Sequence, residues 1–209
     1  MLKMDLQFFA YSGKKALIKV SGVAVAMVDE ATSTTDNTVY QITNSAKRII
    51  GLDASITVED GGVTTVESYT VNRLNGTITF GSADPLRVIT VTSQYLPMST
   101  AAECHEFSLT INGETIDTTR FQDNWLRKIQ GLKSAEGSLS KWWDTDTYFV
   151  DTLISGDPVV LELYEQSDLE PERLWAILNS SEMSTAVDGA VEDSVSFEST
   201  EELLAATLS

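Results

Sequence analysis

One cysteine and one histidine occur in 209 residues, and they are neighbours, Cys104 and His105. A lone thiol cannot close an internal disulfide, and one imidazole without a second histidine or cysteine leaves the usual structural metal sites short of ligands. Adjacent residues on a strand face opposite ways, so the pair is badly placed to act as nucleophile and base. Both are read as structural. Glycine and basic residues are also missing from the places that phosphate binding needs: Gly61-Gly62 sits in an acidic hairpin with no Lys-Ser or Lys-Thr behind it. There is no Gly-x-Ser-x-Gly elbow, and the tightest acid run, 165–172, lacks the spacing and turn glycine of a calcium loop. The chain is therefore read as no enzyme, with no cofactor and no metal.

Long apolar runs are absent as well. None reaches the roughly 18 residues of a membrane span, and Asp5 and Gln7 interrupt the opening segment, which is not read as a signal peptide. Positive charge is scarce and unevenly placed. Of 31 acidic residues, 16 lie in 144–209, where Arg173 is the only cation, so nearly all of the net charge of −17 sits in one third of the chain. Gripping a nucleic acid requires clustered Lys and Arg, so DNA meeting this protein is repelled rather than held. The hydrophobic fraction of 42 % and charged fraction of 22 % are nevertheless those of a globular protein with a real core.

What the chain does have is short strands. They are expected at 15–20 and 22–28, broken at Ser21-Gly22. The run 29–37 has no hydrophobic anchor and reads as an exposed, mobile loop. Strands at 55–59, 63–67, 69–73, 77–80 and 88–96 read as a β meander, with Asp60-Gly61-Gly62 and Asn75-Gly76 supplying turns that tolerate positive φ. A strand resumes at 106–111, and Asn112-Gly113 is the next hairpin signal. Capped by Thr118 or Thr119, Phe121, Trp125, Ile129 and Leu132 fall at i, i+4, i+8 and i+11 and predict an amphipathic helix with Trp125 in the core. Residues 135–142 alternate as a strand, 146–155 read as a short helix closed by Gly156, and strands follow at 159–164, 173–179 and 191–197. A helical turn over 200–206 ends the reading. The fold class is mainly β, an antiparallel β-sandwich or barrel with one packed amphipathic α-helix and a β-rich meander elaboration. Three regions are expected: an arm, first strands and loop over 1–38, the elaboration or small subdomain over 39–98, and the main sandwich with helix over 99–209.

Several phrases carry a resemblance. They are Ile116-Asp117-Thr118-Thr119-Arg120-Phe121; Gly131-Leu132 followed by Glu136-Gly137-Ser138-Leu139 and Trp142-Trp143; Leu153-Ile154-Ser155-Gly156-Asp157-Pro158-Val159; and Val191-Glu192-Asp193-Ser194-Val195-Ser196-Phe197. In this order they resemble the major tail tube proteins of long-tailed bacteriophages, whose fold is shared by tube-forming proteins of contractile injection systems. Met4-Asp5-Leu6-Gln7-Phe8-Phe9-Ala10 looks like the leader on structural proteins of phages of Gram-positive hosts, and 68–80 looks like an elaboration found in some tail tubes.

The resemblance implies a structural virion protein, assembled in the bacterial host cytoplasm, that forms hexameric rings stacked into a conduit for DNA ejection. Its implied partners are itself, the tape measure and other tail proteins, and double-stranded DNA that passes without specific binding; no membrane is involved. A tail terminator, a capsid decoration protein and a surface-binding β module are the alternatives. Leu2, Leu6, Phe8 and Phe9 are too apolar for a free arm and become candidate assembly contacts. Asp29, Thr34 and Asp36, in the loop, are candidates for ring stacking by the same analogy. Trp142 and Trp143 cannot share a face, and Trp142 is named as a protomer contact, with burial in its own chain as the alternative. In Val159-Val160-Leu161-Glu162-Leu163 and Val195-Ser196-Phe197-Glu198 the alternation turns Glu162 and Glu198 away from the core, either into the bore or onto the outer surface.

Overall fold

A computed structural model describes residues 16–65, 67–101, 104–121, 124–142, 147–165, 169–184, 191–201 and 203–204. Leu2, Leu6, Phe8 and Phe9 lie outside the described residues, as does Trp143. The chain divides into two compact units, one from Val20 to Ser99 and a larger one built from the residues up to Lys19 and from Thr100 onward.

The smaller unit is built of β-strands with one short 3-10 turn at Ser45–Lys47. Its strands are β2 (Val25–Thr34), β3 (Val39–Ile42), β4 (Thr57–Asp60), β5 (Val63–Thr64), β6 (Tyr69–Asn72), β7 (Thr77–Phe80) and β8 (Ile89–Tyr95), preceded by β1 (Leu17–Ser21) and followed by β9 (Met98–Thr100), in which the chain crosses between the units. The sheet order is β5-β4-β8-β2-β3-β7-β6, so the strands do not follow one another as a meander. Among the described residues the hairpins between consecutive strands of this unit are β2-β3, β4-β5 and β6-β7. Gly61 and Gly62 hold φ of 59° and 83° in the β4-β5 turn, which the missing Cβ makes inexpensive. One face closes over Met27, Tyr40, Ile42, Ile50, Val58, Ile78, Phe80, Ile89 and Val91.

The loop expected at 29–37 is instead the β2-β3 hairpin. Periodicity misses it because its anchors are polar and cross-strand. Asp29 sits at a bulge with φ 50°, its amide donating to Thr92 Oγ1 at 3.0 Å, and Thr32 Oγ1 donates to the Ile89 carbonyl at 2.7 Å. At the turn, Asp36 Oδ1 accepts from the Thr38 and Val39 amides, each at 2.9 Å, and Thr34 Oγ1 accepts from the Asn37 amide at 2.9 Å. These bonds hold the Asp36 carboxyl below its usual value, the Val39 amide contributing most.

The larger unit contains β10 (Cys104–Asp117), β11 (Lys128–Trp142), helix α1 (Tyr148–Ser155), β12 (Val159–Tyr164), β13 (Glu172–Ser184) and β14 (Glu192–Ser199). They form one sheet in the order β10-β11-β14-β13-β12-β1-β9, with antiparallel pairing through β10-β11-β14-β13-β12. The fold is thus mainly antiparallel β with one helix. That helix is α1, which ends at Gly156 in the left-handed region with its amide bonded to the Thr152 carbonyl at 3.0 Å.

The amphipathic helix expected over 118–132 is not there. β10 and β11 form a long hairpin that runs straight through Asn112-Gly113, with Asn112 across from Ser134 and Gly113 from Lys133. Spacings of four and eight are multiples of two as well as near-multiples of 3.6, so Phe121, Trp125 and Ile129 do not discriminate helix from strand. The threonines expected to cap a helix close the hairpin loop: the Thr118 amide donates to the Arg127 carbonyl at 2.8 Å, and the Arg127 amide to Thr119 Oγ1 at 3.0 Å. Trp125 is exposed rather than in the core. The helical turn expected after β14 is replaced, at Leu204, by an antiparallel bridge to Arg173.

Candidate functional site

Residues opposite one another in an antiparallel ladder share a face, so the register of the larger sheet sorts its side chains. One face carries Ala135, Leu139, Val195, Phe197, Leu178, Ala176, Leu174 and Leu161, all buried. Gly137 belongs to this face, opposite Phe197, and its lack of a side chain is required: a Cβ there would lie 2.6 Å from Phe197 Cζ and 2.1 Å from the Ser108 carbonyl oxygen. A buried ion pair, Lys141 Nζ to Asp193 Oδ2 at 4.0 Å, closes one end, with the ammonium 5.6 Å from the ring centre of Phe149 on α1.

The opposite face is built mainly from hydroxyls and carboxylates. Ser108, Ser138, Ser196 and Ser180 form one row across β10, β11, β14 and β13; Glu106, Ser140, Ser194 and Glu182 form the next, and Thr110, Glu136, Glu198 and the exposed Ile177 a third. Among the described residues in these rows there is no lysine or arginine. Ser108 and Ser138 hydroxyls lie 2.9 Å apart, Asn112 Nδ2 donates to Glu136 at 2.8 Å, and Asn179 Nδ2 donates to Glu198 at 3.1 Å. Neutral amides, rather than cations, are therefore the partners of these exposed carboxylates. Such a surface is wet and negative, and it offers a polyanion hydrogen-bond acceptors but no counterion.

Glu198 lies on this face. Glu162 does not share its exposure. It is 3 % exposed, accepting from Arg173 Nε at 2.7 Å and from the Tyr164 hydroxyl at 2.9 Å, with Lys19 Nζ at 3.9 Å. Every residue of β12 is buried, so alternation along that strand separates two covered faces rather than inside from outside. Burial is the main influence holding the Tyr164 hydroxyl above its ordinary value.

The other candidates are dispersed. Asp29, Thr34 and Asp36 shape the β2-β3 hairpin as described above. Trp142 is half-exposed and stacks on His105, ring centres 4.3 Å apart and planes at 16°. Cys104 and His105 line a small cleft of about 200 Å³ with Ala16, Ile18, Glu106 and Phe107, and no group of three or more metal-capable side chains occurs among the described residues.

A further surface, obscured in the sequence by the helix reading, is the tip of the β10-β11 hairpin. Phe121, Trp125 and Leu132 are 104 %, 85 % and 82 % exposed, and Ile116, Leu126 and Ile129 are exposed beside them. The usable signal was β-branching around Ile116 and Ile129, which stand directly across from each other.

No protein-family model matches the chain, and no curated protein matches it. Among solved structures it is similar to a chain of the tail of an empty gene transfer agent particle, refined with helical C6 symmetry, at 16 % identity and a TM-score of 0.47, covering 52 % of this chain and 85 % of that one. It is also similar to a chain of the native gene transfer agent virion, at 19 % identity and a TM-score of 0.46, covering 53 % of this chain and 88 % of that one.

Proposed function

We propose that this chain is a non-enzymatic structural protein of a phage-like tail, whose copies assemble into stacked, hexameric rings with the hydroxyl and carboxylate face of the larger sheet turned toward a central bore. That continuous face, without a cation in its rows, is the observation that carries the reading. A DNA duplex presents one negative charge per about 1.7 Å, and a wall lined by Glu136, Glu198 and serines would let it slide without sticking. The ring number comes from the sequence resemblance to tail tubes.

Assembly would also use the outer side of β10, which is the end strand of the larger sheet among the described residues and a joining point for a neighbouring copy in a ring. Electron microscopy of the purified protein at high concentration tests the proposal. Long tubes of uniform bore support it; closed single rings point to a terminator or decoration protein, and monomers to a surface-binding module.

A further inference from the structure

We infer that the tip of the β10-β11 hairpin of one copy docks on the outer side of helix α1 of a second copy. The two surfaces match in chemistry. Residues 118–133 hold four of the chain's 14 basic residues, Arg120, Arg127, Lys128 and Lys133, against one acid, and they surround the exposed Phe121, Trp125, Leu126 and Leu132. Six large apolar side chains on one narrow ribbon are far more than scattered surface exposure and mark a contact.

The acceptor is the complementary patch on the same sequence. Val150 and Ile154 are four residues apart on α1 and therefore share a side of it; both are exposed, Ile154 by 78 %. Asp151 and Asp157 flank them, and from residue 144 to 172 the sequence contains no Lys or Arg at all. The last turn of α1 has no basic residue of its own, so its carbonyl end would attract a cation from outside. Hairpin tip and helix are both exposed within one chain, and their opposite charges around apolar centres make a second copy the matching occupant. Because donor and acceptor are different surfaces, the contact is head-to-tail and propagates into rings or filaments instead of stopping at a dimer. It names a contact for the assembly proposed above and stands independently of whether that assembly becomes a tube.

Two proteins, each also carrying Cys104→Ser, test the inference: one with Trp125→Cys, the other with Ile154→Cys. Both positions are exposed, so folding should survive, as checked by thermal melting. Mixed under oxidised glutathione, they should give a disulfide-linked heterodimer in at least about tenfold excess over the homodimers formed by either alone. Equal yields, no heterodimer, or efficient tip-to-tip linkage of Trp125→Cys would overturn the inference. As a second measurement, Arg127→Asp should weaken self-association and Asp151→Arg should restore it; failure of the reversed pair to recover counts against the contact. Tubes without cross-linking would sink this contact and leave the tube, whereas cross-linking without tubes would do the opposite.

Discussion

Glu136 on β11 and Glu198 on β14 stand directly across from each other, two carboxylates in one cross-strand pair, and each is held by an asparagine amide instead of a cation. Like charges in this position oppose folding, so the arrangement sacrifices some stability to keep the face negative. Either Glu136→Gln or Glu198→Gln should therefore stabilise the protein by up to about 1 kcal/mol at low salt. Urea denaturation at two ionic strengths measures it: the gain should shrink as salt screens the pair, and a loss of stability in both variants would contradict the pairing.

Glu162 should behave in the opposite way. Removing it leaves Arg173 and Lys19 facing a covered site, so Glu162→Ala should cost about 3 kcal/mol. Glu198→Ala, on the exposed face, should change stability by no more than about 1 kcal/mol. Similar midpoints for the two variants would contradict a buried, paired Glu162.

Gly137→Ala is expected to be severe for its size. A methyl group would overlap Phe197 and the Ser108 carbonyl on the neighbouring strands, and overpacking of this kind typically costs about 1–3 kcal/mol. The companion Gly113→Ala, where a Cβ would meet only the movable Gln130 amide at 3.0 Å, should be milder. Equal destabilisation would indicate a different β10-β11 register.

The hairpin loop should loosen in acid. Thr119 holds the Asp117 carboxyl below its usual value, mainly through the side-chain hydrogen bond and then through its amide at 2.8 Å. A carboxyl whose folded value is depressed stabilises fully above its unfolded value and loses that contribution as pH falls through the folded one. The Thr119 amide resonance should accordingly stay constant from neutral pH down to the carboxylate range and shift below it. Asp117→Asn should abolish that acid shift; an unchanged profile in the variant would assign it to another group.

Much of the strand pattern was legible because core residues alternate and turns carry glycine. Residues 77–80 and 159–164 match β7 and β12 as expected, and the short helix before Gly156 matches α1 within two residues. The two ends of the 104–142 hairpin were legible as strands at 106–111 and 135–142, but its outer part was not, because Phe121, Trp125 and Ile129 recur every four positions without being buried, so no core-facing alternation marks that stretch as strand. The β2-β3 hairpin was missed because side-chain hydroxyls and Asp36, rather than apolar contacts, hold its turn. At the candidate site the acid excess of the chain was visible, but the polar face itself was not. Glu106 and Ser108, Glu136 and Ser138, and Glu198 come from the two arms of one hairpin and a strand some way further on, and register brings them to one face.

The wall of the assembled bore tests the central proposal most directly. A helical reconstruction of tubes grown from the purified protein should place Glu136, Glu198 and the serine row of Ser108, Ser138 and Ser196 on the inner surface. A reconstruction with that face on the outside, or with lysine and arginine side chains lining the channel, would contradict it.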